Sequence, residues 1–455
     1  MEKMKYNKPS EDFSQIKLGD KRLEKRLSKT VELMTENTQT SVLSSCGTKY
    51  AAKAFYALLS NDKFSQEQLT ETAQKATVER IIESGITEVL LPQDTSDTNL
   101  DGHKKTENLG YSSEHVRGVK IHSTLALTPE GTSLGLLTQQ YETRETAKIE
   151  LSKEKKSRRP IEEKESYRWL ETAREALELV PDNVKPIIIC DREGDFYELY
   201  AEMLSLNASF VVRVTHDRDT VDGNQSNQQL RRTAACGEVE ISIPRDTRAN
   251  APARTAKMEI AYCSVAIAKP KRSGKEIPKQ LVLNLVRITE IGESKEPIEW
   301  FLATNMSVEN AEDAMKIVGY YVHRWKIERF HYILKSGCQV EKIQQRTYGK
   351  IQSMLLIYSV IAAFILAMTY FARSVPDAPC DVFLEEDEWK ILYRLITRKP
   401  IPPDKPYSIK TAVEYLGELG CYKHSPSDGD YGVKSVWQGL TKLFIALDVL
   451  DRLTG

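Results

Sequence analysis

The chain has 455 residues, enough for two to four domains of about 100–200 residues each. Its hydrophobic content of 40% and charged content of 28% are ordinary for a globular protein and argue against a mainly disordered chain. The formal net charge of −1 neither favours nor excludes a nucleic-acid partner, because such binding needs a local basic surface rather than a basic total. The cysteines are scattered and form no CxxC pair, and residues 1–10 have no apolar run. We therefore expect a cytoplasmic protein with no zinc site and no secretory signal peptide.

The first predicted element is a basic helix. The first thirty residues contain nine lysines and arginines against five acids. Apolar residues recur at helical spacing from Leu23 to Met34, which predicts a helix over 20–36 with Arg22 and Arg26 near its start. This helix is interpreted either as a solvated surface helix or as a DNA-contacting helix that neutralises phosphates.

Two aspartates follow apolar strands. The run 88–91 ends at Pro92 and is followed by Asp94, and the fully apolar strand 186–190 ends at Asp191. Acidic side chains at strand ends often line the functional crevice of an α/β sheet. Taken alone, each aspartate fits a helix cap or a turn equally well.

The remaining pattern predicts an α/β domain interrupted by an antiparallel β insertion. The predicted elements are a hairpin over 118–141, a helix over 167–179, a strand over 210–214, the insertion 216–299, a strand over 300–304 and one long helix over 307–337. The uncharged segment 353–371 is nearly long enough to span a bilayer. We favour a helix buried in a protein core, because such a helix is also apolar all round, and expect no membrane partner. Prolines beyond it place a boundary near 373.

The long predicted helix carries a distinctive set of side chains. At about 100° per residue, Tyr321, Arg324, Glu328 and Lys335 share one narrow face, with Met315 among the apolar residues on the opposite face. A solvated ion pair between Arg324 and Glu328 explains only two of the four. Cleavage of a phosphodiester needs an activated nucleophile and a stabilised leaving oxygen. Two divalent ions held by carboxylates can supply both, and cations beside them can hold phosphates. Asp94, Asp191 and Glu328 are the carboxylates that fit this chemistry.

At these residues the chain resembles bacterial insertion-sequence transposases with a DDE triad, and most of all the insertion-sequence-four family. The glutamate helix has that group's Y-R-E-K signature. Further matching segments are 18–27, 47–56, 94–96, 163–169, 190–195 and 210–213. The resemblance implies an α/β fold with a ribonuclease-H-like catalytic core, an antiparallel β insertion, and helical N-terminal and C-terminal domains. The implied domains are a DNA-binding domain at 1–70, a catalytic domain at 71–372 containing the insertion 216–299, and a dimerisation domain at 373–455.

The resemblance also implies a cut-and-paste DNA transposase. Asp94, Asp191 and Glu328 would bind two Mg²⁺ or Mn²⁺ ions. The enzyme would cut the terminal inverted repeats of its element, through a DNA hairpin, and join the 3′-hydroxyl ends to target DNA. The implied partners are double-stranded DNA and, in the DNA complex, a second copy of the chain. A bacterial cytoplasmic location, on the nucleoid when DNA is bound, goes with this function.

Several residues would contact DNA by the same resemblance. Trp300 would stack on a flipped base, although a packed core position is the alternative. The implied phosphate contacts are Arg192, Arg213, Tyr321, Arg324 and Lys335, in addition to Arg22 and Arg26. One departure is Tyr332, which occupies a position where a relative has a second lysine. The remaining alternatives are a ribonuclease-H-like nuclease without strand transfer and a non-catalytic protein that binds transposon ends.

Overall fold

A nine-stranded mixed β-sheet forms the centre of the fold. The computed structural model describes residues 5–37, 42–46, 48–144, 159–243, 254–271, 273–274, 276–292, 297–420 and 430–454. The strands are β1 (Glu88–Asp97), β2 (Lys120–Leu127), β3 (Ser133–Glu142), β4 (Lys185–Cys190), β5 (Ser209–Arg213), β6 (Gly237–Ile243), β7 (Arg254–Ala268), β8 (Gln280–Glu290) and β9 (Glu299–Thr304). Their order across the sheet is β3-β2-β1-β4-β5-β9-β8-β7-β6. The neighbours β1, β4 and β5 run parallel, and the other neighbouring pairs are antiparallel.

Helices precede, cover and follow this sheet. In chain order they are α1 (Pro9–Ser14), α2 (Lys21–Glu36), α3 (Val42–Ser45), α4 (Lys49–Leu58), α5 (Gln66–Ser84), α6 (Tyr167–Leu179), α7 (Tyr197–Ser205), α8 (Ser226–Arg232), α9 (Ala311–Val322), α10 (Trp325–Tyr332), α11 (Tyr348–Ser374), α12 (Glu386–Thr397), α13 (Ile409–Gly420) and α14 (Val433–Thr454). The helix predicted over 20–36 is confirmed as α2. It begins at the N-cap Asp20, whose side chain accepts a hydrogen bond from the Arg22 amide.

The register between β1 and β4 places the two predicted catalytic aspartates side by side. Pro92 pairs with Ile189 in this parallel pair, and Asp94 and Asp191 each lie two residues further along their chains. Neighbouring strands are about 4.8 Å apart and side chains repeat every two residues. The two carboxylates therefore lie at one level on the same face of the sheet.

The prediction that the first strand ends before Asp94 is wrong. β1 continues to Asp97 because β2 still pairs with it, and Asp94 lies opposite Ser123 in that antiparallel pair. On the other side β4 stops at Cys190. Asp94 is therefore held inside a strand, while the end of β4 leaves space beside it.

The β insertion extends the same sheet. Its strands β6, β7 and β8 were expected from sequence, and β9 joins them to the core through antiparallel pairing with both β8 and β5. Trp300 lies near the start of β9 and is 5% exposed. The insertion therefore brings this tryptophan back to the edge of the parallel strands.

The apolar segment 353–371 lies inside α11. By length and composition α11 is able to cross a membrane, but 94% of its most apolar window is buried within the protein. The helix contacts β3, α5 and α13. Its uniform apolar surface is explained by neighbours on all sides, which confirms the prediction of a core helix.

The single helix predicted over 307–337 is wrong, because the structure has three segments there. α9 and α10 are separated by a break, and one turn of π-helix over Ile333–Gly337 follows α10. A constant rotation of 100° per residue therefore does not hold along this segment. Tyr321 and Arg324 are buried, whereas Met315, which was expected on the buried face, is 36% exposed. Met315 and Tyr321 both lie on α9 before the break, so the prediction assigned the buried face of this helix wrongly.

Candidate active site

Asp94 and Asp191 form the acidic centre of the site. Burial, together with the nearby charge of Asp94, raises the pKa of the Asp191 carboxyl above its usual value. For Asp94, burial acts in the same direction, but the hydrogen bond and charge of His331, with the charge of Arg324, lower its pKa overall. Two carboxylates of like charge thus meet in a partly buried place, an arrangement that a bound cation stabilises.

Asp191 also caps the turn that follows β4, as one interpretation of the sequence expected. Its Oδ1 accepts a hydrogen bond from the backbone amide of Glu193 at 2.8 Å. A carboxylate has two oxygens and about four lone-pair directions, so this cap leaves the group able to bind a further partner. The capping and the catalytic interpretations are therefore compatible.

His331 is a site residue that sequence reasoning missed. Its Nδ1 lies 3.4 Å from Asp94 Oδ2, and its Nε2 lies 3.4 Å from the Ser123 hydroxyl, directly across the strand pair. His331 follows Glu328 by three residues, which places the two one helical turn apart on α10. That spacing is the signal in the sequence that could have identified it.

Glu328 is turned toward α9 instead of toward the aspartates. Its Oε1 accepts a hydrogen bond from Arg324 Nη2 at 2.6 Å, and its side chain is 53% exposed while that of Arg324 is 8% exposed. Within the described residues, no three His, Cys, Asp or Glu side chains converge as a ready metal cluster. The ion pair considered from sequence therefore exists, and it holds the glutamate away from a common site with the two aspartates.

Aromatic rings and guanidinium groups pack beside these acids. Trp300 meets Tyr321 edge-on at 5.4 Å and Trp325 at 5.8 Å between ring centroids. The Arg213 guanidinium lies 5.6 Å from the Trp300 ring, and that of Arg324 lies 5.7 Å from the Tyr321 ring. Burial lowers the pKa of Arg213, and none of the described salt bridges includes it. An anionic ligand such as a phosphate is the natural partner for such a group.

Lys335 and Arg192 are two further residues for which the sequence predicted a phosphate contact. Lys335 is in the π-helical turn, where its Nζ donates to the Asp97 carbonyl at 2.6 Å and lies 3.6 Å from Glu341. The prediction that Lys335 shares a straight face with Glu328 is therefore wrong, because the helix changes its winding between them. Arg192 is exposed in the turn after β4 and close enough to Arg213 to act on its pKa.

Three family models match parts of the chain. They describe a transposase DNA-binding domain over residues 9–64, a transposase DDE domain over 170–365 and a transposase Tn5 dimerisation domain over 360–450. The chain belongs to the Tn5-type DDE transposases. Its mixed sheet is accordingly a ribonuclease-H-like core, and the matched domains indicate that the transposase binds DNA and forms dimers. Among solved structures, a cryo-EM structure of the piggyBac transposase synaptic complex with hairpin DNA is similar. The match covers 94% of this chain and 72% of the piggyBac chain, with 11% sequence identity and a TM-score of 0.37.

The aspartate pair of the transposase fits a divalent cation. DDE domains generally use divalent metal ions, and the two aspartates offer the oxygen ligands that Mg²⁺ and Mn²⁺ prefer. Burial, more than any neighbouring charge, raises the pKa of Asp191, and a cation bound beside it would offset the cost of burying its carboxylate. A third ligand from Glu328 requires its carboxylate to leave Arg324.

A basic groove of the transposase was not predicted from sequence. It has a volume of 970 Å³ and lies between α4 and the segment that precedes α11. No carboxylate is among its described lining residues, and its cationic residues are Lys49, Lys53, Lys342, Arg346 and Lys350. The two walls of the groove come from segments that are far apart in the chain. The sequence therefore shows only the four-residue spacing of the cations within each wall, and not that the walls meet.

Arg22 and Arg26 lie away from the acidic centre. Both belong to α2, which packs on α1 and α4. The Arg22 side chain is 90% exposed, and Arg26 is half-buried. The structure therefore places these arginines on the N-terminal helical region, on a helix that packs against α4.

Proposed function

We propose that the transposase binds the terminal inverted repeats of its element, cuts the ends by phosphoryl transfer and joins the 3′-hydroxyl ends to target DNA. The observation that carries this proposal is the level placement of Asp94 and Asp191 on neighbouring parallel strands, facing the helix that bears Glu328. A sheet that presents two carboxylates at one level to a third acid is suited to metal-assisted cleavage of phosphodiesters.

We propose that Asp94, Asp191 and Glu328 hold two Mg²⁺ or Mn²⁺ ions. Bound there, the ions would lower the pKa of an attacking water and stabilise the leaving oxygen. In the first reaction, water oxygen bonds to phosphorus as the bond to the 3′-oxygen breaks, which leaves a 3′-hydroxyl. Arg324 would grip a DNA phosphate, and Glu328 would then be released from its ion pair with that guanidinium.

The hairpin route is part of the proposal. The freed 3′-hydroxyl would attack the opposite strand, water would reopen the hairpin, and the same hydroxyl would later attack target DNA. Trp300 would stack on the flipped base after parting from Tyr321 and Trp325. Its closeness to Arg213 supports this role, because a cation next to the ring would hold the phosphate of the extruded nucleotide.

DNA on either side of the cut would contact three further sets of residues. The cations of the basic groove would track the duplex backbone, and Arg22 and Arg26 on α2 would contact phosphates beyond it. Arg192 and Lys335 would flank the cleaved strand. We propose that residues 373–455 join two copies on paired ends, and that the protein works in the bacterial cytoplasm, on the nucleoid, without a membrane partner.

Cleavage of end DNA tests the proposal. DNA flanking the gene is incubated with Mg²⁺ and the native chain, Glu328→Ala or Glu312→Ala, the last being an exposed glutamate on α9 that serves as control. We expect native and control proteins to cut at the repeat end, and Glu328→Ala to bind the DNA without cutting. Equal cutting by all three would refute the role of Glu328. Cutting without strand transfer would indicate a nuclease. Binding without cutting by all three proteins would indicate a non-catalytic regulator.

A further inference from the structure

Arg168 is a buried arginine behind the acidic centre. It lies on α6, which covers the face of the sheet opposite α10, and its side chain is only 6% exposed. A guanidinium in such a place is costly unless its donors are matched by acceptors. Its partners therefore show what the residue is for.

The Arg168 guanidinium reaches three separate elements. Its Nε donates to the Thr95 hydroxyl at 3.1 Å on β1, and its Nη1 donates to Glu142 at 3.3 Å at the end of β3. Its Nη2 donates to Glu193 at 3.4 Å in the turn after β4. A rigid planar group with donors in fixed directions thus sets the distances between these three elements.

Two of these partners adjoin the proposed metal ligands. Thr95 follows Asp94 directly and points to the opposite face of the sheet. The Glu193 amide donates to Asp191 Oδ1 at 2.8 Å, so the same residue that binds Arg168 also orients the Asp191 carboxylate. Beyond Ile189, β4 no longer pairs with β1, and the sheet ladder does not set the spacing between Asp191 and Asp94.

We infer that Arg168 is a positioning residue for the metal site, which holds the turn carrying Asp191 at a fixed distance from the strand carrying Asp94. It touches neither carboxylate and reaches them through Thr95 and Glu193. Loss of partners that orient metal ligands typically weakens metal affinity or activity about 10- to 100-fold. This inference rests on the proposed metal-dependent function of the aspartate pair.

The test compares Arg168→Gln and Arg168→Lys with the native protein. Mn²⁺ binding is measured by calorimetry on the full chain, and end cleavage is measured over a range of Mn²⁺ concentrations. We expect Arg168→Gln to raise the Mn²⁺ dissociation constant and the half-saturating Mn²⁺ about 10- to 100-fold. Arg168→Lys should recover only part of this, because lysine keeps the charge and loses the planar fork. Saturating Mn²⁺ should restore most of the cleavage rate.

The matched control is Arg174→Gln on the same helix. Arg174 is also ion-paired, with Glu202 at 2.6 Å, but contacts neither β1 nor the turn after β4 in the described structure. We expect its Mn²⁺ dependence to be native. Equal Mn²⁺ affinity in Arg168→Gln and native protein, or equal changes in both arginine variants, would overturn the inference.

Two further variants keep the inference testable if Arg168→Gln does not fold. Glu193→Gln and Thr95→Val each remove one partner of the guanidinium, and each should raise the half-saturating Mn²⁺ at an unchanged melting temperature. Native Mn²⁺ dependence in both would reject the role of Arg168. A native protein that neither binds Mn²⁺ nor cuts DNA would instead reject the proposed function itself.

Discussion

The two halves of the active site are built in different ways. Asp94 is placed by strand register inside β1, and Asp191 lies in the turn just past the end of β4, where Arg168 binds both Glu193 of the turn and Thr95 of β1. Glu328 is on a short helix with a break before it and a π-helical turn after it, and its carboxylate binds Arg324. Two carboxylates are therefore positioned by the sheet and by the turn after β4, whereas the position of the third depends on an exchangeable partner.

The surroundings of these carboxylates support the contrast. The carboxylate of the Arg324–Glu328 pair is half-exposed, so water can solvate Glu328 when it leaves the buried guanidinium. Asp94 is held by the pairing of β1 with β2, and the pairing of β1 with β4 extends as far as Pro92. A DNA phosphate that offers Arg324 a forked contact can therefore displace Glu328, while no ligand needs to rearrange the aspartates.

The largest effect on end cleavage should come from a substitution of Asp191, in the sheet half of the site. Asp191→Asn keeps the shape and the cap of the turn but removes the negative charge that would bind metal. We expect end cleavage to fall by more than about 1,000-fold with end binding preserved, as measured by single-turnover cleavage and gel shift. A loss below about 10-fold would show that Asp191 only caps the turn.

Arg324→Ala should have a smaller effect, with Mn²⁺ binding and end cleavage changing in opposite directions. The substitution removes a positive charge that acts on both aspartates and releases Glu328. We therefore expect Mn²⁺ binding without DNA to tighten about 3- to 10-fold, while end cleavage falls because a phosphate contact is lost. Calorimetry and a cleavage assay measure the two changes. Weaker Mn²⁺ binding in this variant would contradict the exchange of partners.

Sequence patterns predicted the sheet half of the site better than the helix half. The apolar runs before Asp94 and Asp191 identified both strands, since strands buried on two faces are apolar throughout. The parallel register that makes the two residues level depends on how separate segments pair, and no local pattern contains it. The continuation of β1 to Asp97 was missed for the same reason, because pairing with β2 sustains it.

The helix half was mispredicted because helical periodicity assumes regular winding. Nothing in the residues between α9 and α10 forbids a continuous helix, as neither glycine nor proline occurs there. The break and the π-helical turn arise from tertiary packing, which buries Tyr321 and turns Lys335 toward β1. Contacts between distant segments, such as the basic groove and Arg168 with Glu193, were equally invisible in a single sequence.

The smallest predicted effect is a pH dependence of the folding stability, which arises from a buried histidine in the sheet half of the site. His122 on β2 is buried, and burial with the charge of Arg168 lowers its pKa to about 3. Above pH 6.5 this histidine is neutral in both the folded and unfolded states. Below that pH only the unfolded state takes up its proton, so stability is lost as the pH falls toward 3.

The expected loss from His122 is about 2 kcal/mol between pH 6.5 and pH 5. Urea midpoints at the two pH values measure it, and His122→Gln should reduce the difference between them. The exposed His115→Gln is the matched control and should keep the native difference. An unchanged pH dependence in His122→Gln would show that His122 is not a buried neutral residue.

The central claim is that the sheet and the turn after β4 position two metal ligands, Asp94 and Asp191, and that DNA releases the third, Glu328, from Arg324. Calorimetric titration of Mn²⁺ into native protein and Glu328→Gln, each with and without cleaved end DNA, tests it most directly. We predict equal Mn²⁺ affinities for the two proteins without DNA, and an affinity at least about 10-fold weaker for Glu328→Gln with DNA. Equal affinities in the presence of DNA, or an equal weakening with and without it, would contradict the account.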